Sequence, residues 1–476
     1  MIQSCSFSRL AEITGGHLRG TDGHFQSIST DTRRMSQGDL FVALIGPNFN
    51  GNRFVGQARQ NGACAALVSE YSDSPLPQIR VENTLVALRA LAADNRNQFG
   101  GLIFAVTGSN GKTTVKEMLA SIMAQSGSVF STRGNLNNHF GVPISLLQIS
   151  AGHEYAVIEL GASAKGEILF NTQLVQPDVA IITNAGEAHL EGFGSKDVIV
   201  RTKGEILAKL GKSGVAVLNM DDPAFGVWSS LLTEAKLVSF SAKGNPRSSV
   251  YAQHIERDES GVRFDMHFQD QRVAVSLPLP GLHTVSNALA AAAAAWSRGV
   301  SPRIIQQGLQ RFSGVASRLQ FRQWGSVQII DDSYNANPSS VCAAIEVLSQ
   351  QPGYQVAVLG DMAELGPEAE RLHASVGKAA LEYGIDRLMA TGQFASVLAD
   401  SATGIGESFG SKAELIPALV SIVEKQPMTT ILVKGSRGAR MEEVINWLEQ
   451  KTVQAAKRNT ESNADNNMKK MDDNKC

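Results

Sequence analysis

Short apolar runs that end in glycine or small polar residues alternate, along most of this chain, with segments whose apolar residues recur every three or four positions. The clearest alternation begins at Leu102. LIFAVTG (Leu102–Gly108) predicts a buried strand, and TTVKEMLASIMAQSG after it predicts a helix with Val115, Met118, Leu119, Ile122 and Met123 on one face. YAVIELG and PDVAIITNAG repeat the short run with a turn at its end. Strands alternating with helices imply a parallel sheet in an α/β domain. The alternation restarts after Arg318 with VQIIDDSYNANP, YQVAVLGD, DRLMATG and TTILVKGS, strands with polar residues at their carboxyl ends. In open parallel sheets ligands gather outside those ends, so this polar cargo is informative. Before Leu102 the pattern is mixed: GDLFVALIG (Gly38–Gly46) reads as one buried strand after a turn, and AALVSE as another.

At 476 residues the chain is too long for one core. The expected fold class is α/β in three domains. A small N-terminal mixed α/β domain covers 1–98, a central parallel-sheet domain 99–317, and a C-terminal doubly wound α/β domain 318–450. Residues 451–476 hold too few apolar side chains to offset the entropy of ordering, which predicts a disordered tail.

Composition changes little in this picture. Hydrophobic residues make up 43% and charged residues 18%, ordinary for a soluble globular enzyme. A formal net charge of -2 argues against nucleic acid as the main partner. The most apolar helix, NALAAAAAAW (Asn287–Trp296), is too short to span a membrane and reads as packed. The start, MIQSCSFSRLAEITGG, lacks the pattern of a secretory signal. Cys5, Cys64, Cys342 and Cys476 form no C-x-x-C pair and are expected as free thiols in the cytoplasm. A monomer is the expected state.

The chemistry concentrates at AVTGSNGKTTVKEML (Ala105–Leu119). The usual phosphate loop reads G-x-x-x-x-G-K-[ST], but here Gly108 lies only three residues before Gly111. The physical logic survives the shortening. Backbone N–H groups at the turn and helix start face an anion, and the helix dipole favours negative charge there. Lys112 adds a cation for terminal phosphates, and the Thr113 hydroxyl suits magnesium. The central domain is therefore expected to be a P-loop ATPase domain, with Gly108, Asn110, Gly111, Lys112, Thr113 and Thr114 around the phosphates.

TGSNGKTT resembles the loop of the Mur ligase family, ATP-dependent amide ligases that build peptidoglycan precursors, and of the related folate polyglutamate ligases. The short spacing is the rule in that group. RGNLNNHFGVPISLL resembles its GNxNNxxGxP segment and contains Asn138. In VIELGA, Glu159 matches an acidic magnesium ligand; ITNAGEAHLEGFGS puts His189 in the metal-binding loop, and RTKGEIL supplies Lys203. PGLHTVSNALAAAAA matches the adenine-side helix with Asn287, while SRLQ and IIDDSYNANPSS place Arg318 and Asp332 at ATP phosphate and ribose. The resemblance implies two Mg2+ sites, Thr113 and Glu159 at one and His189 and Lys203 at the other, with Lys203 carbamylated by CO2 into an anion. Lys112, His189 and Lys203 are the catalytic candidates.

STDTRRMSQGDLFVALIG, DDSYNANPSS and LVKGSRGARMEEVI narrow the resemblance to the branch that joins D-alanyl-D-alanine to a UDP-N-acetylmuramoyl-tripeptide through an acyl phosphate. It implies that Thr32, Arg33 and Asn138 serve the UDP-sugar peptide, and that Asn335, Asn337 and Lys434 line the face turned to the site. Ser163-Ala164, Asn50-Gly51-Asn52 and His283-Thr284 depart from the family pattern where substrate is gripped.

Each residue also has a plainer reading. His189 alone is a surface or hydrogen-bonded histidine, Glu159 a capping carboxylate or an ion-pair partner, Lys203 a solvated helix lysine, and Met362 and Tyr334 packing residues. Asp331 and Asp332 are adjacent on a strand and point opposite ways, so at most one reaches a nucleotide while the other caps or bonds the loop. Two rival functions stand beside the main one: a folylpolyglutamate synthase-like ligase, and a non-catalytic ATP-binding regulatory protein. Turnover with each acceptor separates them.

Overall fold

The computed structural model describes residues 1–46, 49–258, 261–426 and 428–450. The expected tail, 451–476, and Cys476 within it lie outside the described residues. The fold is α/β, with three main sheets along the chain.

The first is a five-stranded sheet in the order 17–19, 78–80, 65–68, 40–42, 28–29, antiparallel only at its first pair. GDLFVALIG is not one strand. Leu40–Val42 pairs in this sheet, the chain turns at Ala43 and Leu44, and Ile45–Gly46 forms a separate antiparallel hairpin with Phe49–Asn50. Gly51 is packed against this turn so closely that a Cβ there would stand 2.6 Å from the Leu44 carbonyl oxygen. The run is buried from Leu40 to Leu44, but it bends there and leaves Ile45 exposed in the hairpin.

The central sheet has nine strands, in the order 129–131, 155–159, 102–107, 179–182, 215–219, 236–241, 250–258, 261–268, 271–277. All neighbours are parallel up to 250–258, after which two antiparallel pairings close the edge. Leu102–Thr107 sits between 155–159 and 179–182. The next strand in sequence, Val129–Ser131, lies at the far edge, so the strand order reverses beside Thr107, where a doubly wound sheet opens its crevice.

Helix Lys112–Met123 packs on this sheet with Val115, Met118, Leu119 and Ile122 fully buried, against the alanine-rich helix Leu282–Trp296. The small side chains Ala288 and Ala290–Ala295, all fully buried, let that second helix come close.

The third sheet has six strands in the order 320–324, 327–332, 429–434, 354–359, 387–391, 406–409, parallel except at the first pair. Thr429–Lys434, the last in sequence, is inserted between the older neighbours, which brings Lys434 beside Asp332 in register. The carboxyl ends of the central and C-terminal sheets face one another, and the candidate site lies between them.

Candidate active site

The loop after Leu102–Thr107 is held from below. Ser109 N–H donates to the Asn184 carbonyl (3.0 Å), Asn110 N–H to Asn184 Oδ1 (2.9 Å), and Thr183 Oγ1 to the Asn110 carbonyl (2.6 Å). Both glycines are required by contact as well as by conformation. Gly108 has φ +151 and a Cβ there would stand 1.9 Å from Thr183 Oγ1; Gly111 has φ +80 and its Cβ would meet Asn287 Oδ1 at 2.2 Å. Gly111 caps the 12-residue helix and, having no side chain, makes no capping bond to the N–H groups of its first turn. That open, glycine-lined start fits a phosphate. Lys112 Nζ turns back on its own loop, donating to the carbonyls of Gly108 (2.7 Å) and Ser109 (3.0 Å), and burial lowers its pKa to about 8.

Glu159 ends the neighbouring strand and is buried. Thr113 Oγ1 donates to its Oε2 and Asn137 Nδ2 to its Oε1, both at 2.8 Å. Among the described residues no three His, Cys, Asp or Glu side chains gather as a ready-made metal site. The donor set here is one hydroxyl and one carboxylate beside a phosphate loop. It fits magnesium, which usually takes one or two carboxylates together with substrate phosphates.

His189 begins the short turn Leu190–Phe193 with φ +56, and its Nδ1 contacts the Glu364 carboxylate. Burial lowers the His189 pKa; Glu364 opposes the shift, while Lys112 and Lys203 add to it. Lys203, on helix Lys196–Gly204, is 2% exposed. Its Nζ stands over the Phe193 ring, 5.5 Å from the centroid, and the same ring meets His189 edge-on. Burial, and then Lys112, bring the Lys203 pKa down to about 7 against the opposing pull of Glu167 and Glu205. The plain reading of Lys203 as a solvated lysine is therefore corrected: burial of its helix face on the central core removes it from water.

From the C-terminal sheet, Asp331 and Asp332 diverge. Asp331 accepts from Arg322 (2.8 Å) and from the Ser333 hydroxyl (2.6 Å), whereas Asp332 accepts from Lys434 Nζ (2.5 Å) and Leu319 N–H (3.2 Å). Lys434 also donates to the Asn335 carbonyl at 2.8 Å. Asn337 caps helix Pro338–Ser349 through a capping box, and its Nδ2 donates to Asn110 Oδ1 (2.7 Å). Asn110 in turn donates to Ser339 Oγ at 2.9 Å, so the C-terminal domain grips the tip of the loop. The Arg318 guanidinium lies over the Tyr334 ring, 4.2 Å from its centroid.

A cavity of about 880 Å³ gathers most of the residues singled out from the sequence: Asn110, Gly111, Lys112, Thr114, Asn138, Glu159, His189, Asn287, Arg318, Asp332, Asn335, Asn337 and Lys434 all line it. Gly108 and Thr113 lie beneath the loop, and Lys203 lies behind Phe193; none of the three lines the cavity. Thr32 and Arg33 are outside it, in a turn of the first domain, where Thr32 bonds Gln57 (3.2 Å) and Arg33 forks onto Asp31 (2.9 and 2.8 Å). Asn138 Oδ1 accepts from the backbone N–H groups of Phe140 and Gly141. Sequence reasoning passed over Asn137, Ser339 and Glu364, and assigned Tyr334 to packing although it lines the cavity. Asn137 lies one residue from a candidate in the same motif, whereas Glu364 has no local signal.

A short phosphate loop on a parallel sheet, a buried carboxylate beside it and a second doubly wound domain closing the cavity define the Mur-type class of nucleotide-dependent ligase folds. The descriptions "Mur ligase family, catalytic domain", "Mur ligase middle domain" and "Mur ligase, glutamate ligase domain" match residues 24–97, 106–295 and 317–437. The UDP-N-acetylmuramoyl-tripeptide–D-alanyl-D-alanine ligase of Escherichia coli (strain K12) is 43% identical over 94% of this chain and 99% of its own length. The Bacillus subtilis (strain 168) enzyme of that name is 35% identical over 92% and 97%. The chain belongs to the Mur ligase family, in its UDP-N-acetylmuramoyl-tripeptide–D-alanyl-D-alanine ligase branch. A crystal structure of MurF from Acinetobacter baumannii superposes with TM-score 0.89 at 38% identity, covering 94% of this chain and 99% of that one. A folylpolyglutamate synthase from Mycobacterium tuberculosis, at 16% identity and TM-score 0.62, shares the fold alone.

Proposed function

We propose that this chain uses ATP to join D-alanyl-D-alanine to a UDP-N-acetylmuramoyl-tripeptide. The support for this substrate pair is the 43% identity across 94% of the chain to a ligase of that name. The ADP complex of the Thermotoga maritima MurF ligase, at 28% identity and TM-score 0.80, supports the choice of nucleotide. A carboxylate is a poor acyl donor because oxide would have to leave. In the first step a carboxylate oxygen of the tripeptide attacks the γ-phosphorus of ATP and ADP leaves. In the second the dipeptide amine attacks the acyl carbon, inorganic phosphate departs with the C–O bond electrons, and the nitrogen releases its extra proton to solvent.

The protein's work is positioning and charge neutralisation. Gly108, Asn110, Gly111, Thr113 and Thr114 would present the loop to the phosphates, with Lys112 leaving the Gly108 and Ser109 carbonyls for the transferring group. Asn287 would lie on the adenine side, Arg318 and Asp332 toward phosphate and ribose. Thr113 with Glu159, and His189 with a carbamylated Lys203, would hold the two magnesium ions. Bound there, magnesium supplies positive charge that offsets the charge developing on the phosphoryl oxygens. Thr32, Arg33 and Asn138 would serve the UDP-linked peptide, and Asn335, Asn337 and Lys434 the face where the second substrate enters. Soluble substrates of this kind fit a cytoplasmic monomer, and among the described residues no helix is long and apolar enough to cross a membrane.

Phosphate release measured across UDP-linked peptides with D-alanyl-D-alanine tests the reading. Turnover only with folate and glutamate would replace it by a folate ligase, and absence of turnover with every acceptor would leave a nucleotide-binding regulator.

A further inference from the structure

We propose that Glu364, carried by the C-terminal domain, is a positioning residue that orients His189 for its metal, so that this metal site is completed only when the two domains are apposed. The proposal rests on the reading of His189 as a metal ligand. Its grounds are geometric. His189 has φ +56 and Glu364 φ +60, so two residues with full side chains adopt, on opposite sides of one domain interface, a conformation that such residues seldom occupy. They meet there. His189 Nδ1 contacts the Glu364 carboxylate, and Glu191 N–H donates to the Glu364 carbonyl at 3.1 Å. Gly366, with φ +61, closes the same loop so near Glu191 that a Cβ would stand 3.3 Å from its Cα.

An exposed ion pair by itself would carry little, and these side chains are 32% and 53% exposed. The backbone bond and the matched left-handed conformations mark a built contact rather than a chance pairing of long side chains. With Nδ1 engaged by Glu364, the ring nitrogen left for a metal is Nε2. A carboxylate on the far nitrogen fixes the tautomer and orientation of a ligating histidine and raises its basicity. Glu364 stands 175 residues from His189, in the loop after Tyr354–Leu359 of the other sheet, so the carboxylate is present only while that domain is docked. The Asn337–Asn110 and Ser339–Asn110 bonds brace the same closure on the other side of the cavity.

The test counts and titrates Mn2+ on the full chain with a non-hydrolysable ATP analogue, in wild type, Glu364→Ala, Glu364→Gln and His189→Ala. Glu364→Ala should weaken the second Mn2+ by about 10- to 100-fold and leave the first unchanged. Glu364→Gln keeps an acceptor for the ring N–H and should recover most of that loss, a rescue that also answers for any folding defect in the alanine variant. Small-angle scattering should show a smaller compaction with nucleotide and Mn2+ in Glu364→Ala than in wild type. If His189→Ala loses the second ion while Glu364→Ala and Glu364→Gln bind it as wild type does, the Glu364 proposal is overturned and the His189 reading stands. If His189→Ala itself keeps both ions, the His189 reading falls and this proposal with it.

Discussion

Replacing Lys203 by arginine keeps the positive charge and removes the one chemistry proposed for the side chain, attack of a neutral amine on CO2. Its structural basis is unusual for a lysine. It is 2% exposed, its Nζ stands over the Phe193 ring, and burial and then Lys112 bring its pKa to about 7. At pH 7 about half of such side chains are neutral, against roughly one in 3,000 for a lysine at its ordinary pKa, so burial raises the reactive fraction about a thousandfold. Arginine stays charged at any accessible pH. Lys203→Arg should therefore lose turnover by about 10²- to 10³-fold, the usual effect of removing one group that offsets transition-state charge.

The assay is phosphate release with both substrates, in buffer stripped of CO2 and again after bicarbonate is restored. Wild type should slow in the first condition and recover in the second, whereas Lys203→Arg should respond to neither. Lys203→Ala should regain some activity with acetate, a small carboxylate that can occupy the vacated space. Protein exposed to ¹³C-bicarbonate should give a carbamate resonance that both variants lack. Melting curves guard against misfolding. Near-normal turnover in Lys203→Arg, or a wild-type rate indifferent to CO2 with no ¹³C adduct, would refute the reasoning and leave Lys203 a buried structural lysine.

Three further outcomes are expected. Lys112→Ala removes a cation that hydrogen-bonds two loop carbonyls; turnover should fall about 10²- to 10³-fold with the melting temperature nearly unchanged. Lys434→Met strands Asp332, whose partner is 3% exposed, and should cost about 3–5 kcal/mol in denaturant titration; adding Asp332→Asn should recover part of it. For pH, the Lys203 pKa is about 7 in the fold and returns to the ordinary lysine value on unfolding. The unfolded chain then binds more protons between those values, so stability should rise with pH across that window. Urea titrations at spaced pH values should show Lys203→Met with a shallower rise, the remainder beginning at the Lys112 pKa of about 8.

What the sequence made legible follows the range of the interaction that decides it. LIFAVTG and VQIIDDSYNANP read correctly as strands because buried runs punctuated by glycine and asparagine carry their own boundaries. The strand Gly261–Phe268, second from the sheet's edge, was equally readable, with buried Val262, Phe264, Met266 and Phe268 alternating with Arg263, Asp265 and His267. In GDLFVALIG composition announces the burial of Leu40 to Leu44 but is silent about the bend that exposes Ile45, a bend against which only a glycine fits at position 51, seven residues beyond Leu44. At the site, Gly108 to Thr114 could be read because a phosphate loop is local. Asn137 on Glu159, Ser339 on Asn110 and Glu364 on His189 could not, since each contact joins segments 22, 229 and 175 residues apart.

The three buried or half-buried lysines around this cavity show why residue type alone underdetermines a role. A site built for a triphosphate must hold cations, and without the anion those cations need somewhere to rest. Lys434 rests on a full carboxylate and a carbonyl, in register between two strands, so moving it would strand Asp332; it is tied to the fold. Lys112 rests on two carbonyl dipoles of its own loop, weaker partners that a phosphate can outbid without leaving a buried charge behind. Lys203 feels the pull of Glu167 and Glu205, but its burial and the nearness of Lys112 outweigh them and bring its pKa to about 7. A charged, immobile lysine suits architecture, a charged and releasable one suits a moving phosphoryl group, and a half-neutral one is a nucleophile. Exchanging their surroundings, rather than their side chains, would exchange their functions.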